Sequence, residues 1–224
     1  MIKSELTDIV ALSNNHSGKR LYPVTRFTPH CVVGHYKATE IASWKKFHDG
    51  KTASMNYVIG DAGELLLQIP EEFRAWTSSN RDNDNRAITV ECSSDATAPF
   101  AFNDAVYNKL VSLTVDVAQR YNKNTVIWIP NKTQALAYKP KDDELQITVH
   151  RFFANVECCG QWLIDKMPDY VAEVNARLHA IYPKKLYCVQ VGAFAFYENA
   201  ERMKENLKKQ GYTDAFIVEK GVNK

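Results

Sequence analysis

Two histidines and a cysteine, His30, His150 and Cys158, have the donor types of a catalytic zinc site. His30 lies inside a short β-rich run, Thr28–Gly34 (TPHCVVG). His150 closes the strand-like run Gln146–Val149, and Cys158 follows it by eight residues across a loop. A catalytic zinc takes three protein ligands and keeps its fourth position for water. Two neutral imidazoles and one thiolate leave the ion with net positive charge, which acidifies bound water and polarises a carbonyl. Spacing alone does not decide the ligand set. A His and a Cys eight apart match none of the closed zinc spacings, and His16, His35, His48 and His179 are also present. Glu91, near the end of the apolar run Ile88–Cys92, is a carboxylate suited to act as general base beside an activated water. The alternative for a strand-end carboxylate is a structural ion pair.

The elements that must position these groups follow from periodicity. Thr39–Phe47 reads as a helix with Ile41, Trp44 and Phe47 on one face. Asn56–Gly60 and Glu64–Ile69 flank the turn Asp61-Ala62-Gly63 and read as a hairpin. Asp104–Arg120 is the clearest helix, with Val106, Leu110, Leu113 and Val117 at helical spacing behind Asn103, a capping residue. Val126–Ile129 and Gln146–Val149 are further strands, and Gln161–Leu178 is helical with a break or kink expected at Pro168. Strands alternating with helices predict an α/β fold, a central mixed β-sheet flanked by helices. Composition changes near Ile181–Lys185. Beyond it a strand (Leu186–Ala193), a helix carrying Ala200, Met203 and Leu207 on one face and ended by Gly211, and a strand (Ala215–Glu219) make a small β-α-β unit. The expected division is 1–181 and 182–224.

The chain has 224 residues, 45% hydrophobic and 24% charged, which is long enough to bury a core without disulfides. A net charge of +2 gives no argument for nucleic acid. No apolar run approaches the length of a membrane span, so membrane insertion is not expected. Met1–Ser13 lacks a basic start followed by an apolar run, so no secretory signal peptide is expected there. The five cysteines, Cys31, Cys92, Cys158, Cys159 and Cys188, are an odd number, which argues against a disulfide framework.

Four blocks carry a family resemblance: TPHCVVG (Thr28–Gly34), ASMNYVIGDAGEL (Ala53–Leu65), RAWTSSNRDNDNRAITVE (Arg74–Glu91) and ITVHRFFANVECCG (Ile147–Gly160). In this order they resemble the zinc-dependent N-acetylmuramoyl-L-alanine amidases, the family of T7 lysozyme-like endolysins and peptidoglycan-recognition proteins. The resemblance implies one Zn2+ held by His30, His150 and Cys158, with Glu91 at the position of a catalytic glutamate in one branch. It implies hydrolysis of the amide between the lactyl group of N-acetylmuramic acid and L-alanine of the stem peptide. Asn56, Trp76, Arg86 and Arg151 are candidate substrate-binding residues, with Phe152 beside them. The chain departs from the pattern at three places. Val156 stands where many relatives carry Lys or Thr, Met55 and Asn56 stand where some carry a tyrosine or histidine, and Cys159 replaces a proline. Cys159 is also a competing thiolate, though Cys158 keeps the spacing from His150.

Leu186–Val218, with its VQVGAF core, resembles the first half of a SPOR domain. That likeness implies binding to peptide-free glycan strands, with Gln190 on the binding sheet, or else a docking or homodimer-forming role for residues 186–224. The expected partner is peptidoglycan. The expected life history is that of an endolysin or autolysin, cytoplasmic until released by holin or lysis. Two other readings stay open: a peptidoglycan-binding protein that has lost catalysis on the same scaffold, and a cysteine peptidase using Cys158 or Cys159 with His150.

Overall fold

The structure is a computed structural model that describes residues 1–48, 52–181, 190–212 and 215–219. Among the described residues the strands are β1 (Ile9–Val10), β2 (Arg26–Cys31), β3 (Tyr57–Ile59), β4 (Leu65–Leu67), β5 (Ala87–Cys92), β6 (Thr125–Trp128) and β7 (Glu144–Ile147). The helices are α1 (Ala38–Ser43), α2 (Lys45–His48), α3 (Arg81–Arg86), α4 (Asp104–Arg120), α5 (Lys132–Ala137), α6 (Gln161–Ile181) and α7 (Tyr197–Lys209). The chain divides into two units, Met1–Pro183 and Lys184–Lys224.

In the first unit the strands form one mixed sheet in the order β1-β4-β3-β5-β2-β7-β6. β2 lies between β5 and β7 and runs parallel to both. β3 and β4 form the antiparallel hairpin that the turn Asp61-Ala62-Gly63 foretells. Side chains alternate across a strand, and β2 shows why this matters. Phe27 joins Ile88, Val90 and Ile147 on one face, packed against Val106, Leu110 and Val117 of α4 and Leu163, Tyr170 and Val174 of α6. The intervening residues Arg26, Thr28 and His30 fall on the other face. Farther along that second face, Ile41 and Phe47 of α1 and α2 cover Val58 and Leu66. Helices therefore flank the sheet on both sides.

α6 runs through Pro168 without interruption. Proline inside a helix costs about 3 kcal/mol. Leu163, Met167, Tyr170, Val174 and Leu178 are all fully buried along its inner face, and each is worth roughly 1.5–3 kcal/mol, so burial holds the helix together. The expected helix Thr39–Phe47 is instead two, because Trp44 adopts an extended backbone between α1 and α2. α3 and α5 have no apolar periodicity. Each is six residues long and started by a cap, with the side chains of Asn80 and Asn131 accepting from Asn83 and Gln134.

In the second unit the described helix α7 ends at Gly211, whose φ is +101°. Tyr212 N–H donates to the Leu207 carbonyl and Gly211 N–H to that of Lys208, the paired bonds that close a helix at a left-handed residue. Of the strand expected at Leu186–Ala193, residues 186–189 lie outside the described residues. Residues 190–193 and 215–219 carry no strand pairing.

One buried ion pair ties the exit of β4 to the end of α4. Glu71 is fully buried, and Arg120 grips it with two bonds of 2.6 and 2.7 Å. Tyr57 and Tyr121 hydroxyls donate to the same carboxylate at 2.6 and 3.0 Å. Removing one partner of such a pair strands a buried charge. Arg120→Ala is expected to lower unfolding free energy by about 3–5 kcal/mol, measured by chemical denaturation.

Candidate metal centre

The centre is assembled where β5, β2 and β7 end. His30 and Glu91 are the penultimate residues of parallel β2 and β5 and are partners in register. They therefore stand side by side on the polar face. β7 stops at Ile147, two residues before the expected end. Thr148 N–H still donates to the Phe27 carbonyl at 3.0 Å, and the chain then turns into a single 3-10 turn, His150–Phe152. That turn swings His150 over the end of β2, leaving the two imidazole rings 4.9 Å apart at 55°. The following loop returns Cys158, whose Sγ lies 3.4 Å from His30 Nδ1. One ligand atom from each of His30, His150 and Cys158 lies within 4.8 Å of the others. Ligands at the carboxyl ends of parallel strands are the usual arrangement in such sheets.

A layer of buried polar side chains fixes these positions from below. Thr28 and Thr148 hydroxyls are 2.7 Å apart, and Asn83 bridges both at 3.2 and 3.1 Å. Thr77 joins Thr89 to the Ser54 carbonyl. Each of these groups is buried with its bonds made inside the protein, so the layer is rigid.

The donor set fits a divalent, borderline-soft cation. The Nδ1 to Sγ separation is close to the edge of a tetrahedron with bonds of roughly 2.0–2.3 Å. Nε2 of His30, on the far side of the ring, is buried with no protein hydrogen-bond partner. Burial pushes His30 well below its ordinary pKa, and a charge on His150 would push it further. Burial lowers His150 as well. Both rings are thus neutral at pH 7, the form that binds metal. The Cys158 thiol is held well above its usual range, chiefly by a hydrogen bond with Cys31 and then by burial. A coordinating cation overrides that and deprotonates the thiol. Burial lifts Glu91 to about 8, slightly opposed by the Lys46 ammonium. A cation nearby would draw it down again.

The other sequence candidates are dispersed. Cys159 is fully buried in the main core, outside the ligand cluster. Arg151 is beside the centre, its N–H donating to the Cys158 carbonyl at 3.2 Å. Phe152 packs flat on Trp128, 5.6 Å between centroids. Asn56 is fully buried and bonded to Arg20, Thr89 and the Ile69 carbonyl, which makes it part of the scaffold. Arg86 precedes β5, at the opposite end of the strand from Glu91. It pairs with Asp82 and covers the Tyr22 ring. Trp76 is partly exposed and donates to Ser17 at 2.6 Å. Gln190, in the second unit, is exposed and donates to the Gly192 carbonyl.

Sequence reasoning missed two neighbours. Ser79, held at φ +59°, places its hydroxyl 3.3 Å from His150 Nε2. Cys31 follows His30 and touches Cys158. The seryl run Ser78-Ser79 before the capping Asn80 was the available signal for the first, but only the fold brings it to His150.

The family described as N-acetylmuramoyl-L-alanine amidase matches residues 22–169, and the SPOR domain matches residues 183–224. Among solved structures, PlyL is 16% identical with a TM-score of 0.52, covering 74% of this chain and 95% of that one. The N-acetylmuramoyl-L-alanine amidase LysC from Clostridium intestinale URNW is 13% identical with a TM-score of 0.51, covering 75% and 99%. These likenesses establish the fold of the first unit. No curated protein matches the chain.

His30→Ala is expected to abolish metal binding, measured by elemental analysis after zinc loading and desalting. Its circular dichroism should stay close to that of the parent chain, because the main core does not include this side chain.

Proposed function

The chain belongs to the N-acetylmuramoyl-L-alanine amidase family, and from that premise we propose that it is a zinc-dependent hydrolase of peptidoglycan, cutting the amide between the lactyl group of N-acetylmuramic acid and L-alanine. The observation that carries this reading is the convergence of His30, His150 and Cys158 within 4.8 Å beside Glu91. A peptidase built on Cys158 and His150 is disfavoured by the thiol's raised pKa and, among the described residues, by the lack of an acid bonded to His150, whose Nε2 faces the neutral Ser79.

His30, His150 and Cys158 would hold the ion. When bound, Zn2+ supplies a Lewis acid that acidifies water and polarises the scissile carbonyl. Glu91 then takes a proton from the attacking water on a carboxylate oxygen as the new C–O bond forms. It returns that proton to the departing nitrogen as the C–N bond breaks. The products are a muramoyl carboxylate and a peptide with a free L-alanyl amine. Ser79 holds the His150 ring in orientation, as second-layer partners of metal ligands do. Val156, 41% exposed on the ligand loop, offers neither hydrogen bond nor charge to the transition state. Stabilising the developing oxyanion would therefore fall to the cation, and delivering the proton to Glu91. We assign the action to the cell wall, by an endolysin or autolysin freed by holin or lysis. No described helix is long and apolar enough to cross a membrane.

For the second unit, the SPOR match supports contact with glycan, and its exposed apolar residues are the argument for contact with another copy. Val191 and Phe216 are 60% and 63% exposed, and Met203 and Leu207 of α7 are only half-buried. Among the described residues nothing covers this apolar surface, and a symmetric pair of units would cover it. The sequence also points to Val189, which lies outside the described residues.

Mass spectrometry of digested peptidoglycan should show free muramoyl ends and new L-alanyl amines; cuts confined to the peptide would overturn the assignment. Glu91→Gln should keep zinc and lose about 10²-fold or more in turnover, read from single-substrate kinetics with metal content checked in parallel. Light scattering should show a dimer for the full chain and a monomer for a version ending at residue 181. The same monomeric state for both, over a wide concentration range, would exclude pairing through the second unit.

A further inference from the structure

We propose that a cavity beside the metal ligands is a subsite for a free carboxylate on the peptide side of the substrate, read by Arg151. The proposal builds on the amidase reading above. The cavity has a volume of about 270 Å3, and its lining includes Pro99, Phe100, Arg151, Val156, Glu157 and Gln161. It is small for a sugar-sized ligand pocket but suited to a short acidic side chain. Its place in the chain ties it to the chemistry. Arg151 follows His150, Glu157 precedes Cys158, and the Arg151 amide is bonded to the Cys158 carbonyl. With the scissile amide at the ligands, a group seated here belongs to the next residue or two of an extended stem peptide, at roughly 3.3–3.6 Å per residue.

Arg151 is built to receive an anion that the protein itself does not supply. One Nη donates to Gln161 Oε1 at 3.0 Å and the other to the Glu157 carbonyl, both neutral acceptors. These bonds fix the plane of the guanidinium without cancelling its charge. Among the described residues Arg151 forms no ion pair; its Nε is walled off inside the protein, so the remaining Nη hydrogens are the donors that face a ligand. A guanidinium carries five N–H donors, so bonding capacity is left over, in the planar fork that matches a carboxylate. The Pro99, Phe100 and Val156 side chains give the cavity apolar walls, which strengthen a charge-assisted bond by excluding water. The exposed Glu157 carboxylate at the rim repels anions of higher charge, which favours a singly charged carboxylate over a phosphate.

The test uses two substrates for the zinc-loaded full chain, N-acetylmuramoyl-L-alanyl-D-glutamic acid and the same molecule with its α-carboxylate converted to the amide. The acid should be cut with kcat/KM higher by about tenfold or more, the scale of a charge-assisted hydrogen bond. Arg151→Gln should bring that ratio close to one, and Arg151→Lys should restore part of it, with zinc content equal in all three proteins. A purely structural clamp would instead change metal content or stability and leave the ratio alone. A wild-type ratio near one overturns the proposal, whatever the variants do, so a variant that fails to fold does not shield it. If neither substrate is cut, the amidase reading fails separately, and NMR titration decides the subsite. Selective perturbation of the Arg151 guanidinium signals by the acid supports it, and equal or absent perturbation by both compounds overturns it.

Discussion

Six consecutive residues of β2 are matched with six of β5 in parallel register, from Arg26 beside Ala87 to Cys31 beside Cys92. Everything at the metal centre depends on that pairing. Side chains alternate with a period of two, so a slip of one residue would put His30 beside Val90 or Cys92, which face the main core. Two features pin the register. Phe27, Ile88 and Val90 are buried in the core on one face, and on the other Thr28 bonds Thr148 and Asn83 while Thr89 bonds Thr77 and Asn56. Either face alone would favour the register; together they leave no low-energy alternative.

The electrostatics of the centre follow from the same burial. Desolvation holds both imidazoles neutral and raises the Glu91 carboxyl, and the hydrogen bond with Cys31, then burial, raises the Cys158 thiol. Every one of these shifts penalises charge, so the protein withholds charge from the site and leaves a bound cation as its dominant field. A cation lowers the thiol and the carboxyl together. On the proposed reading it would thereby create both the third ligand and the base, two functions that burial alone suppresses.

Much of the sheet and of the ligand set can be read from the residues, for reasons that differ. The runs Thr28–Gly34 and Ile88–Cys92 mark strands without tertiary knowledge, though the first strand is shifted in the structure to Arg26–Cys31. The helical spacing of Val106, Leu110, Leu113 and Val117 does the same for α4. His30, His150 and Cys158 were singled out by resemblance, since their spacing alone left several histidines open. What escaped depends on packing between distant segments. Trp44 splits a helix by taking an extended backbone, α3 and α5 rest on caps where no amphipathic stripe exists, and Asn56 is consumed by bonds to Arg20 and Thr89. Ser79 reaches His150 only because α3 is anchored beneath it.

His30 and Cys158 are 128 residues apart in the chain. An ion gripping both, with His150, is therefore a reversible cross-link between the second strand and the segment before the last helix of the first unit. Since an unfolded chain offers no assembled site, occupancy adds to the folding free energy by mass action, about 2.7 kcal/mol when the free ion stands at a hundred times its dissociation constant. Metal supply would then set not only how many molecules can turn over but how many persist. A zinc-poor compartment would hold a population that is both idle and easier for proteases to open.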